Sequence, residues 1–356
     1  MKRWLFRLTV VLVVVGGAAG TAAWTLYQRT REPFGVYTAA GQFIEIAPGQ
    51  SSMAIGRRLV EAGVVRDELT FRVGILTSGQ ARDLKAGEYR FDRPMSALEV
   101  IDRLVTGEVH TRLLTFAEGL TIADMAKVFE ERGFGSAKEF SQAAGDASVI
   151  RDLDPAARDL EGYLFPETYA LARNTTAADL VKQMASLFRQ MFDADLRAAA
   201  NAAGLSVRET VTLASLVEKE TAQADERALV AAVYRNRLAR KMPMQADPTV
   251  IYALERAGRF SGNLRRDDLQ LDSPYNTYRH AGLPPGPIAS PGLAALQAAV
   301  RPADVKHLFF VSRNDGTHVF ADTLAQHNRN VATWQVDYFR KRRSQQSAAP
   351  KTQPPS

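Results

Sequence analysis

Two carboxylates, Glu218 and Glu220, have the setting in this 356-residue chain that best suits acid–base chemistry. They fall within Ser206–Arg240, which opens S-V-R-E-T-V-T-L-A-S-L-V-E-K-E-T and continues as an apolar-periodic run. Ser206 followed by Glu209 is a capping-box start, and Leu213, Leu216 and Val217 recur at helical spacing, so a helix with one packed face is expected. Residues two apart on a helix point to nearly opposite sides, so the two glutamates cannot serve one substrate as a pair. Their helical neighbours differ. Three and four positions away Glu218 has Ala214, Ser215, Thr221 and Ala222, all small, whereas Glu220 has Leu216, Val217, Gln223 and Ala224. A carboxyl in a row of small residues can meet a ligand while losing much of its water. That desolvation raises its pKa and keeps a general acid available near neutral pH. Helical glutamate is common, and spacing alone favours the plainer reading of two surface residues.

Other chemistries fit poorly. The chain has no cysteine, which excludes disulfides, thiolate catalysis and cysteine-ligated metal. His110, His280, His307, His318 and His327 show no H-E-x-x-H or comparable spacing, so no metal is expected. No G-x-S-x-G and no phosphate-binding loop occurs, and no cofactor is expected. The glycines of Val15–Gly20 lie in an apolar segment and form no nucleotide site. The net charge of +6 comes from the ends. Lys2, Arg3, Arg7, Arg29 and Arg31 at one end, and Arg340, Lys341, Arg342, Arg343 and Lys351 at the other, have no acid among them. The middle is therefore mildly acidic, and the charge is no argument for nucleic acid.

Several elements must position the glutamates. Leu8 to Tyr27 carries no charge over a length that crosses a hydrocarbon core of about 30 Å. Lys2, Arg3 and Arg7 before it favour a cytoplasmic N-terminus, residues 1–7, with the rest exported. The rival reading is a cleaved signal peptide ending near Gly20-Thr21-Ala22-Ala23. A repeat follows at a constant offset. F-I-E-I-A-P-G-Q-S-S-M-A-I-G-R-R-L-V-E-A-G-V from Phe43 matches L-L-T-F-A-E-G-L-T-I-A-D-M-A-K-V-F-E-E-R-G-F from Leu113, with Gly49 on Gly119, Ser51 on Thr121 and Gly63 on Gly133. Each copy reads as strand, glycine turn, cap, helix and glycine stop. Glu88–Phe91 reads as a further strand, and Ser96 with Glu99 caps a further helix. Such modules resemble LysM-type domains, which bind polymers containing N-acetylglucosamine. A plain scaffold that positions its neighbours is the alternative.

Leu160–Ala170, L-E-G-Y-L-F-P-E-T-Y-A, is broken by Gly162 and Pro166 and suits a ligand-facing loop or a packed one. Thr176 to Ala202 reads as one long helix. Asp247 before Pro248 reads as a cap and first helical residue. Ser273–Tyr278 leads into the Pro/Gly-rich stretch Gly282–Gly292, an ordered non-helical loop whose neighbouring Tyr, Asn and Thr suit a sugar. Leu308–Val311 is a strand, and Val319–Asn328 opens the last helix. The polar tail 340–356 is expected to be disordered.

L-A-S-L-V-E-K-E-T (213–221), Q-A-D-P-T-V-I-Y (245–252), Y-N-T-Y (275–278), G-L-P-P-G-P-I (282–288) and F-A-D-T-L-A-Q-H-N (320–328) together resemble the YceG-like family, over roughly residues 35–335. Ala246 stands where a hydroxyl residue is expected, and Ser290 where Asn is expected. The resemblance implies an α+β protein: a transmembrane helix over 8–27, a small LysM-like α/β domain over 35–135 and a larger mixed catalytic domain over 136–339. It implies a peptidoglycan lytic transglycosylase of the bacterial inner membrane. Its substrate would be glycan strands, and penicillin-binding protein synthases would be its partners. It places the catalytic acid at Glu218, with Lys219 and Glu220 supporting, while Gln245, Asn276 and Tyr278 are candidate substrate contacts. The groove is expected between the central helix and the Pro/Gly-rich loop, lined by Glu218 and not by Glu220. A non-catalytic scaffold that binds peptidoglycan through the repeat is the reading of different class.

Overall fold

Reciprocal capping boxes start six of the helices: Ser96/Glu99, Thr121/Asp124, Ser136/Glu139, Thr176/Asp179, Ser206/Glu209 and Thr323/Gln326. Each satisfies main-chain donors that a helix start leaves free. The computed structural model describes residues 2–35 and 41–340, a mixed α+β protein in two compact units. One unit holds Met1–Leu113 and Ala170–Thr175, the other Leu114–Tyr169 and Thr176–Ser356. The tail from residue 341 lies outside the described residues.

The first unit opens with α1 (Lys2–Arg31), whose segment Phe6–Arg31 is long and apolar enough to cross a membrane. Strand β1 (Gln42–Ile46) is followed by α2 (Ser52–Glu61), α3 (Glu68–Ser78), β2 (Gly87–Phe91) and α4 (Ala97–Thr106). β1 and β2 are antiparallel, with Ile44 opposite Tyr89. Alternation puts Ile44, Ile46, Tyr89 and Phe91 on one buried face, closed by Phe71, Val100, Ile101 and Leu104 from the helices. Gly56 lets α2 and α3 approach, since a Cβ there would lie 2.5 Å from the Phe71 ring.

β3 (Thr111–Thr115) pairs with β4 (Thr168–Ala172). Between them run α5 (Ile122–Glu131) and α6 (Ala137–Ala144). After them come α7 (Ala177–Met191), α8 (Ala194–Ala202), α9 (Val207–Glu220), α10 (Arg227–Ala239), α11 (Asp247–Arg256) and α12 (Leu293–Val300), then the antiparallel strands β5 (Phe309–Ser312) and β6 (His318–Ala321), and α13 (Leu324–Val331). α9 is the centre of the second unit: every residue from Thr210 to Val217 is buried. The repeat is realised in the backbone. Gly49 and Gly119 have φ of +78° and +76°, Gly63 and Gly133 +69° and +71°, and Ser51 and Thr121 cap α2 and α5. The second copy belongs to the larger unit from Leu114 onward.

Four local expectations are corrected. The helix expected over 176–202 is two helices, because Phe192 leaves helical geometry and the Asp193 carboxylate takes the Leu196 N–H to start α8. The run through Arg240 also breaks. Thr221 is extended, and its hydroxyl accepts from Gln223 N–H and donates to Glu226. Asp247 is not a cap, since α11 starts at it and its carboxylate receives the Tyr278 hydroxyl. Val319–Ala321 lies in β6, and Thr323 caps α13.

Candidate active site

The break at Thr221 shapes the surroundings of Glu218. The chain turns through Ala224–Glu226 and starts α10 at Arg227, which returns beside the end of α9. Arg227 Nη2 lies 4.0 Å from Glu218 Oε1 and 3.9 Å from Glu118 Oε2. Because α9 ends at Glu220, Thr221 and Ala222 are not helical neighbours of Glu218, and half of the expected small-residue row is replaced by these charges.

Two loops complete the wall. Glu118–Leu120 runs along the end of the Pro/Gly-rich stretch, with Gly119 N–H donating to Ser290 O at 2.9 Å and Ser290 N–H to Leu120 O at 2.8 Å. Gly119 sits against the glutamate: a Cβ there would lie 3.6 Å from Glu218 Cγ. Lys219 Nζ donates to Gly119 O at 3.2 Å. From the other loop the Gly292 N–H, at the start of α12, donates to Glu218 Oε2 at 3.0 Å. Glu118 fills the space beside Gly292: a Cβ there would fall 1.7 Å from Glu118 Oε1.

The Glu218 side chain is only 6% exposed. Burial raises its pKa above the ordinary carboxyl range. The Glu118 charge pushes the same way, against the Gly292 N–H, Arg227 and Lys219. Such a carboxyl can hold a proton to deliver, and its anion is then met by an N–H and a guanidinium. Two polar atoms of this neighbourhood, Arg227 Nε and Ser290 Oγ, are buried with no hydrogen-bond partner among the described residues.

Glu220 is in different company. The Tyr234 hydroxyl donates to its Oε2 at 3.1 Å, and burial raises its pKa too. The other sequence candidates gather on that side, and no described interaction joins them to Glu218. Tyr278 donates to Asp247. Asn276 is fully buried, and its amide donates to Leu269 O at 3.0 Å and Leu271 O at 2.8 Å, so it holds its own loop. Gln245 is exposed with φ of +51°, its N–H bonded to Thr277 O.

A cavity of about 300 Å³ does lie between α9 and the Pro/Gly-rich loop, lined by Arg208, Tyr275, Pro285, Gly286 and Pro287. Glu218 is not in its lining. The cavity meets the first turn of α9, and Glu218 is about 15 Å further along at 1.5 Å per residue.

Sequence reasoning passed over Glu118, Arg227 and Glu161. The repeat carried a signal for the first, since Glu118 occupies the position of Pro48 in the other copy. Glu161 is 7% exposed; its Oε1 accepts from Ile122 N–H at 3.1 Å and its Oε2 from the Tyr252 hydroxyl at 3.2 Å. Burial pushes its carboxyl up to about 8. Next to it, Gly162 at φ +82° packs on Pro287 and Val211, where a Cβ would lie 2.4 Å from Pro287. Arg208 of α9 pairs both nitrogens with Asp154 at 2.9 Å, and Tyr163 donates to the same carboxylate at 2.7 Å. The Leu160–Ala170 segment is therefore packed structure that ties α9, α5 and the Pro/Gly-rich loop together.

The family model described as YceG-like matches residues 44–333. A Bacillus subtilis (strain 168) protein named endolytic murein transglycosylase is 32% identical over 305 residues, covering 80% of this chain and 82% of that one. A protein of the same name from Streptococcus pneumoniae (strain D39) is 32% identical over 320 residues, and the match covers 81% of this chain but 57% of that protein. The crystal structure of a YceG-like protein from Listeria monocytogenes superposes with a TM-score of 0.56 at 28% identity, covering 82% of this chain and 99% of that one.

Proposed function

The chain belongs to the YceG-like family, and from that premise we propose that it is a lytic transglycosylase cutting within murein glycan strands at the β-1,4 bond from N-acetylmuramic acid to N-acetylglucosamine. Protonated Glu218 gives its proton to the bridging oxygen as the muramyl C1–O bond breaks. The muramyl C6 hydroxyl oxygen then bonds to C1, and its proton returns to the Glu218 carboxylate. The product end is a 1,6-anhydro ring, no water is consumed, and the catalyst is regenerated. One carboxyl suffices because the nucleophile is internal, whereas hydrolytic glycosidases ordinarily use two.

The observation that carries this reading is the environment of Glu218: a nearly buried carboxyl with raised proton affinity, one N–H and one guanidinium beside it. Arg227 Nε and Ser290 Oγ are polar atoms beside it that stay buried and unpaired among the described residues. In this reading α1 anchors the chain in the cytoplasmic membrane with the catalytic unit outside, where it limits strand length beside the synthases.

Mass spectrometry of strand ends tests it. Uncrosslinked strands treated with the protein should gain 1,6-anhydro-muramyl ends, and Glu218→Gln should give none. Reducing ends would mean hydrolysis, with Glu118 as the nearest second carboxyl. Equal anhydro products from both proteins would remove Glu218 from the chemistry.

A further inference from the structure

A second cavity, of about 560 Å³, lies among α5, α6 and α11. Thr121, Glu161 and Tyr252 line its buried part, while Lys127, Glu255 and Arg256 are exposed at its mouth. The mouth carries both signs of charge. Arg256 donates to the Tyr252 hydroxyl at 3.1 Å and lies 3.9 Å from Asp159, and Lys127 lies 3.8 Å from Asp124. The Glu255 carboxylate makes no hydrogen bond or ion pair among the described residues.

A neutral sugar is recognised by amides, hydroxyls and open aromatic faces, and here the Thr121 and Ser141 hydroxyls and Phe260 are outnumbered by ionisable groups. No amide side chain lines the cavity, and Tyr252 is only 4% exposed. The lining holds the Glu255 carboxylate together with Lys127 and Arg256, whose own partners Asp124 and Asp159 are 3.8 and 3.9 Å away, a set able to meet a group with an amine and a carboxylate on one carbon. Charge-assisted hydrogen bonds to both halves would fix it.

The cavity is also within reach of the reacting ring. Gly119 touches Glu218, and Thr121 is two residues further, at most about 7 Å along an extended chain. An extended peptide of three residues spans about 10 Å. We propose that this cavity receives the stem peptide of the muramyl residue held at Glu218, taking the zwitterionic amino-acid end with Glu255 on the amine and Lys127 and Arg256 on the carboxylate. The assignment rests on the transglycosylase reading and adds to it a preference for strands that carry their peptides.

The test compares two substrates on one protein, so folding is controlled internally. Full-length chain in detergent is given strands bearing tripeptide stems that end in meso-diaminopimelate, and the same strands stripped by an amidase. The expected kcat/KM ratio of stem-bearing to stripped strands is about tenfold, the worth of one charge-assisted pair. It should fall toward one in Glu255→Gln and in Lys127→Ala. Equal wild-type rates on the two substrates, or a ratio unaltered in both variants, overturn the proposal. If neither strand is cut, the transglycosylase reading is what fails, and titration with a soluble muramyl tripeptide then decides the cavity. Saturable binding weakened by Glu255→Gln supports the site, and no binding ends it.

Discussion

The Gly292 N–H points at Glu218 Oε2 from 3.0 Å, so that oxygen is an acceptor in either protonation state. The other oxygen, Oε1, faces the Arg227 guanidinium from 4.0 Å. Glu218→Gln keeps the shape and removes the transferable proton. Cleavage should fall by about 10²- to 10⁴-fold, the usual worth of a general acid–base group, with circular dichroism unchanged. A loss of less than tenfold in strand-end counts would move the acid elsewhere.

The two charges flanking Glu218 act oppositely on it. Glu118 raises its proton affinity and Arg227 lowers it. A general acid works protonated, so the alkaline limb of activity marks its titration. Glu118→Gln should therefore move that limb to lower pH, and Arg227→Gln to higher pH. Initial rates across pH 4 to 9 give the comparison, and shifts of the same sign in both variants would contradict the arrangement.

Gly292→Ala separates geometry from folding. Its backbone φ of −77° suits alanine, but the new methyl displaces the flexible end of Glu118. Stability should drop by no more than about 1 kcal/mol, as for a helix-cap change. The alkaline limb should shift as in Glu118→Gln. An unshifted limb would mean that Glu118 does not act on Glu218 from this position.

Glu161 makes stability depend on pH. Its native pKa of about 8 lies above the ordinary 4.5, so the fold binds this proton more tightly than the unfolded chain does. The resulting stabilisation is complete below about pH 4.5 and is lost as pH rises toward 8, by at most about 1.4 kcal/mol per unit. Glu161→Gln cannot titrate, and its urea midpoint should change less between pH 5 and 8 than the wild type's. Parallel curves would show that Glu161 is ionised throughout.

Ser215 joins helix and loop. Its hydroxyl donates to Thr212 O at 2.7 Å and accepts from the Ile288 N–H at 3.1 Å. Ser215→Ala leaves that buried N–H alone, which costs about 1–3 kcal/mol. Urea unfolding reads the stability, and kcat should fall as well, because Ile288 leads to Gly292. A change in neither would make the bond incidental.

Local signals carried much of this structure. The capping pairs, the repeat glycines and the period of Leu213, Leu216 and Val217 all act within a few residues, so they can be read from the chain. The surroundings of Glu218 are only partly legible from its helical neighbours. Burial does raise its pKa, yet half of the small row expected around it is off the helix. The missing partners, Glu118 and Gly292, lie 100 and 74 positions away, and no local pattern encodes them. Asn276 shows the converse. Its residue type suits a sugar, but its position in a tight loop turns both amide hydrogens onto the loop's own carbonyls.

Short-range folding can form α9 and leave Glu218 as an ordinary, ionised surface glutamate. The raised proton affinity arises only when a segment near residue 118 and another near residue 292 have both closed over it, and contacts so distant in sequence form slowly. In the proposed reading, the chain therefore gains its acid only once the larger unit is complete.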